Sequence, residues 1–223
     1  MSTENDKYTD IKTIIKLLPR DQIEHMAHVE ILVKALASEI SGRGLYSKDL
    51  KPEKSSDFGK AAFYHDIGKA WVPQRILSKP AKLTGEEMRI ARNHTLFADK
   101  LFQRILNGSI SGMPIHLIGL AHDSAVYHHE WWNGMGYPYG ISRFNIPLVA
   151  RITSICDVYD AITSDRAYRR ACSHDYACHE IEKNAGSQFD PALVPIFLNH
   201  EAELPNLLLR ARRNGLKRGI VWV

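Results

Sequence analysis

The sequence predicts an all-α protein on three observations. Apolar residues recur at spacings of three and four, helix start and stop signals alternate along the chain, and strand patterns are scarce. Ile23, Met26, Ala27, Val33, Leu36, Ala37 and Ile40 share one helical face, and Ser41-Gly42 with Gly44 supplies a stop, so the first core helix is expected over about residues 21–40. From Ser41 to Asp57 the chain is polar, contains Pro52 and lacks periodicity, which reads as a loop within a domain. Ala61-Ala62-Phe63-Tyr64 then leads into His65-Asp66-Ile67-Gly68-Lys69, where Gly68 permits a break before Trp71 and Pro73; the His-Asp pair is expected near a helix end. Thr84 and Glu87 have the spacing of a capping box and predict one helix running through His94 to about Leu106. Pro114 suits the first turn of the next helix, which carries Ile118, Leu120 and Val126 up to His128-His129 before the glycine-rich stretch from Asn133 to Gly140. Pro147 opens another, with Leu148, Ile152, Ile155, Tyr159 and Ile162 on one side and Asp157 and Asp160 one turn apart. Ser173 and Asp190-Pro191 start two more, with Gly186 as a stop between them.

The 223 residues suffice for one compact domain. Mean hydropathy is −0.27 and no apolar run approaches the ~20 residues of a membrane helix. The polar, acidic start Met-Ser-Thr-Glu-Asn-Asp-Lys is unlike a signal peptide, so a cytoplasmic location is expected. Cys156, Cys172 and Cys178 are odd in number and fit neither a zinc motif nor a disulfide framework; buried thiols are expected. A net charge of +4 does not argue for DNA binding, and Arg210, Arg212, Arg213, Lys217 and Arg218 read as a solvated helix face.

Histidines and aspartates dominate the chemistry. Imidazole nitrogen and carboxylate oxygen together suit divalent iron, manganese, zinc or nickel. In His65-Asp66 the carboxylate has two oxygens that can bridge two ions, although the dipeptide alone is a weak signal: His122-Asp123 repeats it without the surrounding pattern and reads as a structural pair. A lone His94 on an amphipathic helix would read as a hydrogen-bonded core residue. Adjacent His128 and His129 beside glycines offer two nitrogen donors where the backbone can approach a ligand. Asp157, set among Ile155, Cys156 and Val158, carries a charge that needs a partner, which a metal would provide.

These residues resemble the HD-GYP subgroup of the HD superfamily. The first block is His65-Asp66-Ile67-Gly68-Lys69, Pro73, Ile76-Leu77, Lys79-Pro80, Lys82-Leu83-Thr84 and Glu86-Glu87. The second is His128-His129-Glu130, Trp132, Gly134, Gly136-Tyr137-Pro138 and Gly140. Ile146-Pro147, Ala150-Arg151-Ile152, Asp157, Tyr159-Asp160-Ala161, Thr163-Ser164, Arg166, Tyr168-Arg169 and Phe189-Asp190-Pro191 continue the match.

The resemblance implies an HD-type helical bundle with a metal site between core helices. It also implies a cytoplasmic phosphodiesterase that hydrolyses cyclic di-GMP to linear pGpG, and in some members to GMP. The catalytic domain is expected over 21–200, with an N-terminal extension 1–20 and a C-terminal helical extension 201–223. On this likeness His25, His65, Asp66, His94, His128, His129 and Asp157 fall on metal-ligand positions for two or three divalent ions, iron or manganese being expected. Asp21 is the weakest ligand candidate, because members with a third metal usually carry Glu there. Lys69, Tyr137, Arg166 and Arg169 match substrate contacts: the arginines to grip phosphate, Tyr137 to offer a stacking face, and Lys69 to neutralise developing charge beside the bridging Asp66.

Asn133 replaces the usual Asp and Trp131 a frequent Arg, so the loop's hydrogen bonding is expected to differ. There is no room for a sensory or receiver domain, so regulation is expected from elsewhere, through a partner protein or a homodimer. Other cyclic dinucleotides or nucleotides as substrates, and a non-catalytic sensor of cyclic dinucleotides, are the alternatives.

Overall fold

A computed structural model describes residues 8–165, 170–200 and 202–218, with the backbone alone at 212–218. Its elements are α1 (Ile11–Ile15), α2 (Arg20–Gly42), α3 (Ser55–Ala62), α4 (Gln74–Leu77), α5 (Gly85–Arg92), α6 (His94–Leu106), α7 (Ile115–Tyr127), α8 (Leu148–Thr163), α9 (His174–Lys183), α10 (Val194–Leu198) and α11 (Leu204–Arg218). The expected all-α class holds: no strand occurs among the described residues, only two isolated bridges.

The long α2 forms because Met26, Val29, Leu32, Val33, Leu36 and Ile40 line one stripe, all of them buried. Each such side chain contributes roughly 1.5–3 kcal/mol by leaving water. The stripe packs on α3 and α8 and also meets α10 and α11, while α7 fills the space between α3, α6 and α8. Ile11, Ile14 and Leu18 near the N-terminus and Leu204 and Leu208 on α11 join the same core.

Three departures from the sequence reading have physical causes. The segment read as loop to Asp57 turns helical earlier: Pro52 starts a short 3-10 turn, and α3 follows from Ser55. The helix expected from Thr84 to Leu106 starts on its capping box, with Thr84 N–H donating to Glu87 Oε2 at 2.8 Å, but divides at Asn93. The division makes His94 the first residue of α6 rather than an interior one. The helix expected at Asp190-Pro191 begins only at Val194; Asp190 Oδ1 accepts from Ala192 N–H at 2.9 Å in the turn ahead of it, while Arg151 donates to its Oδ2 at 2.6 Å. The cysteines are free thiols, with Cys156 and Cys178 buried and Cys172 half-buried. No helix among the described residues is long and apolar enough to cross a membrane.

Candidate metal centre

The site is assembled where helices end. After α3 the chain tightens, His65 N–H donating to Ala62 O and Ile67 N–H to Tyr64 O, and continues as a 3-10 turn over Ile67–Trp71. Gly68 lets this turn touch the start of α6: a Cβ there would stand 1.9 Å from the His94 carbonyl oxygen and 2.9 Å from Ala98 N. His94 opens α6, His128 caps α7 with His129 following it, His25 lies within α2 and Asp157 within α8.

Their donor atoms fall into two groups, each within 4.8 Å: Asp66, His94, His128 and His129, and His25, His65 and Asp157. The His-Asp dipeptide is therefore shared out, one residue to each group. Asp66 faces both ways. Its Oδ1 lies 3.4 Å from His94 Nε2 and 3.9 Å from His128 Nε2, and its Oδ2 lies 3.4 Å from His65 Nε2 and 3.7 Å from His25 Nε2.

Backbone carbonyls set the imidazoles. His65 Nδ1 faces Ala62 O at 2.9 Å, His94 Nδ1 faces Ala91 O at 2.8 Å and His128 Nδ1 faces Ser124 O at 2.9 Å. A carbonyl can only accept, so each Nδ1 carries the proton and each Nε2 presents a lone pair inward. Asp66 Oδ1, His94 Nε2 and His128 Nε2 are buried and have no hydrogen-bond partner among the described residues. Three lone-pair atoms converging in a dry space are costly unless a cation lies among them, so the donor set fits a divalent ion.

The second group is held by a carboxylate behind it. Asp160, fully buried, accepts from His25 Nδ1 at 2.6 Å and His28 Nδ1 at 3.0 Å, while His25 Nε2 lies 3.0 Å from Asp157 Oδ1 and 3.3 Å from His65 Nε2.

Electrostatics divide the histidines. Burial pushes His94 down to about 4 and His129 down to about 3, and drives His128 well below its ordinary value. Burial would lower His25 too, but its bonds to Asp157 and Asp160 outweigh this and raise it to about 9. Burial would raise Asp66 and Asp157; Lys69 and His65 beside the first, and His25 beside the second, instead hold both well below the carboxylate range. Neutral imidazoles and ionised carboxylates are the forms that bind metals, so His94, His128 and His129 stand ready, while His25 must give up a proton to serve as a ligand.

The glycine-rich loop closes over this centre. Gly136 lies against the backbone of His129, Glu130 and Trp131, where a Cβ would come within 2.3 Å of Trp131 N. Tyr137 N–H donates to His129 O, and its ring stacks on the His129 ring at 4.7 Å and 26°. Glu130 Oε1 accepts from Tyr139 N–H and Gly140 N–H at 2.6 and 3.1 Å, which pins the loop's return. Asn133 Oδ1 accepts from Met135 N–H at 3.0 Å, a bond that an aspartate could also make.

Among the sequence-derived candidates, His25, His65, Asp66, His94, His128, His129 and Asp157 thus come together. Lys69 joins them through Nζ, 2.5 Å from Asp66 Oδ2 and 3.0 Å from Gln22 Oε1. The stacking face expected of Tyr137 lies on His129, with the Arg92 guanidinium also over the ring. Asp21 is exposed on the first turn of α2 and belongs to neither donor group; it lines a pocket of about 250 Å³ with Glu24, His25, His28 and Asp160. Arg166 and Arg169 lie outside the described residues.

Sequence reasoning assigned no role to Asp160, Gln22, Glu130 or Arg92. Asp160 carried a signal, an acid one turn from Asp157 beside apolar Tyr159 and Ile162, and Glu130 stood in the His128-His129-Glu130 block; Gln22 and Arg92 carried none. His122-Asp123 forms a separate network, His122 bonding Asp99 at 3.0 Å and Asp123 at 3.2 Å, as its reading as a structural pair required.

The profile of the HD domain family matches residues 19–193. A probable cyclic di-GMP phosphodiesterase of Vibrio cholerae is 38% identical over 177 residues, 79% of this chain and 40% of that protein. A 3′3′-cGAMP-specific phosphodiesterase of the same organism is 28% identical over 198 residues, 89% of this chain and 35% of that protein. The chain thus spans well under half the length of these relatives. In fold it is similar to Bd1817, an HD-GYP-type protein of Bdellovibrio bacteriovorus, with a TM-score of 0.55 at 14% identity, covering 84% of this chain and 55% of that one. The chain belongs to the HD domain family, and its residues 65–87 and 128–140 resemble the HD-GYP group within it.

Proposed function

We propose that this chain carries a phosphodiesterase that opens cyclic di-GMP to linear pGpG, and by a second cut to GMP, with two divalent ions, iron or manganese. The observation that carries the reading is the division of His65 and Asp66 between two donor groups bridged by one carboxylate. The similarity to named cyclic di-GMP phosphodiesterases supports the substrate class. A third ion beside Asp21 has less support, since that carboxylate stands apart from both groups.

Ions bound there would supply Lewis acidity toward a phosphodiester oxygen and lower the pKa of a water toward ~7. The protein's part is to hold and orient. His94 and His128 offer fixed Nε2 donors, and His25 is aimed by Asp160. The Lys69 ammonium, beside Asp66, serves the charge that builds on the oxygen leaving phosphorus. Tyr137 and the Gly136 turn cover His129 and limit water.

Protein purified without added metal, then loaded anaerobically with iron or manganese, is expected to hydrolyse cyclic di-GMP, and Asp66→Ala to lose both metal and turnover. A panel including 3′3′-cGAMP and mononucleotides separates the substrate alternatives. Tight binding of cyclic dinucleotide with no product under any loading would replace the enzyme by a sensor, and retained activity in Asp66→Ala would refute the site.

A further inference from the structure

We infer that Arg92 grips the phosphodiester of the cyclic dinucleotide that is not being cleaved, an assignment that rests on the functional reading above. A cyclic dinucleotide carries two phosphodiesters. While one reacts at the metal centre, the other is an anion that needs a partner at the rim.

Arg92 ends α5, two residues before the ligand His94. Its Cζ lies 4.9 Å over the Tyr137 ring, and that ring stacks on His129. One aromatic ring therefore separates an exposed guanidinium from the metal donors. No side-chain hydrogen bond engages the Arg92 N–H groups among the described residues, so the guanidinium can form paired bonds to two non-bridging phosphate oxygens.

The neighbouring cations are already engaged. Arg89 pairs with Glu86 at 3.7 Å, Lys79 with Glu87 at 2.5 Å, and Lys69 with Asp66 and Gln22. Arg92 has no carboxylate partner among the described residues. A cation held over the Tyr137 ring beside the reaction centre, without an acid among the described residues to neutralise it, suits a mobile anionic ligand.

The test is steady-state kinetics with cyclic di-GMP on metal-loaded wild type, Arg92→Ala and Arg92→Lys, with metal content measured on each. Arg92→Ala is expected to raise KM about tenfold or more, the effect of losing a hydrogen-bonded charge, with kcat within about threefold and metal content as in wild type. Arg92→Lys, keeping charge but not the fork, should fall between. An unchanged KM in Arg92→Ala would overturn the assignment. So would a loss of metal or of kcat at constant KM, which would make Arg92 a mere support for Tyr137. Wild-type protein that neither binds nor cleaves any cyclic dinucleotide would overturn the functional reading and this assignment with it.

Discussion

Replacing Gly68 by alanine strikes the joint on which the centre turns. The new methyl would stand 1.9 Å from the His94 carbonyl oxygen, short by about 1.1 Å of the 3.0 Å below which something must shift. The obstacle is backbone, so no side-chain rotation relieves it; the turn carrying Asp66 and the first turn of α6 must separate. Overpacking of this kind costs roughly 1–3 kcal/mol of stability. The larger effect is expected in function, because Asp66 Oδ1 and His94 Nε2 share one donor group and a displacement near 1 Å costs on the order of a hundredfold in rate. Chemical denaturation, metal stoichiometry and turnover of cyclic di-GMP measure the three effects. Gly119→Ala is the control: it lies in α7, exposed, with nothing within 4 Å of an added Cβ, and should stabilise by ~0.5–1 kcal/mol. A Gly68→Ala protein matching wild type in stability, metal content and rate would refute the reasoning.

Asp160→Ala removes the acceptor that orients His25, and metal affinity should fall ~10–100-fold, read by competition with a chelator; Asp160→Asn, which keeps an accepting oxygen, should recover part of it. For the metal-stripped protein the pH dependence has two limbs. His94, held at about 4 against 6.5 in the unfolded chain, takes up its proton in the unfolded state first, so stability falls as pH drops from about 6.5 to 4, by roughly 3 kcal/mol at most. His25, raised to about 9, works the other way: its contribution is full below 6.5 and is lost as pH rises through about 9. Denaturant titrations across pH 4–10 on stripped protein should therefore show a maximum between the limbs, and a flat profile would contradict both assignments.

Local rules carried much of this fold into the sequence. The capping box at Thr84 and Ser173 as the cap of α9 stand where the pattern put them, and Pro114 and Pro147 fall one residue ahead of the helices they were expected to open. The donor residues were legible as types and as a family pattern. What was hidden depends on contacts between distant segments. The break at Asn93 has no glycine or proline to announce it; it coincides with the close approach of Gly68 to His94. Gln22 reaches Lys69 from 47 residues away, and Asp160 reaches His25 from 135. The role of Asp160 follows from α2 packing on α8, which no local periodicity encodes.

The sharing of adjacent residues between two donor groups bears on how the centre fills. His65 and Asp66 are joined by one peptide bond, and the two Asp66 oxygens address opposite groups. Ions bound at the two groups would share that carboxylate, so a substitution that turns it away from one group would disturb both, and metal content should fall at the two together.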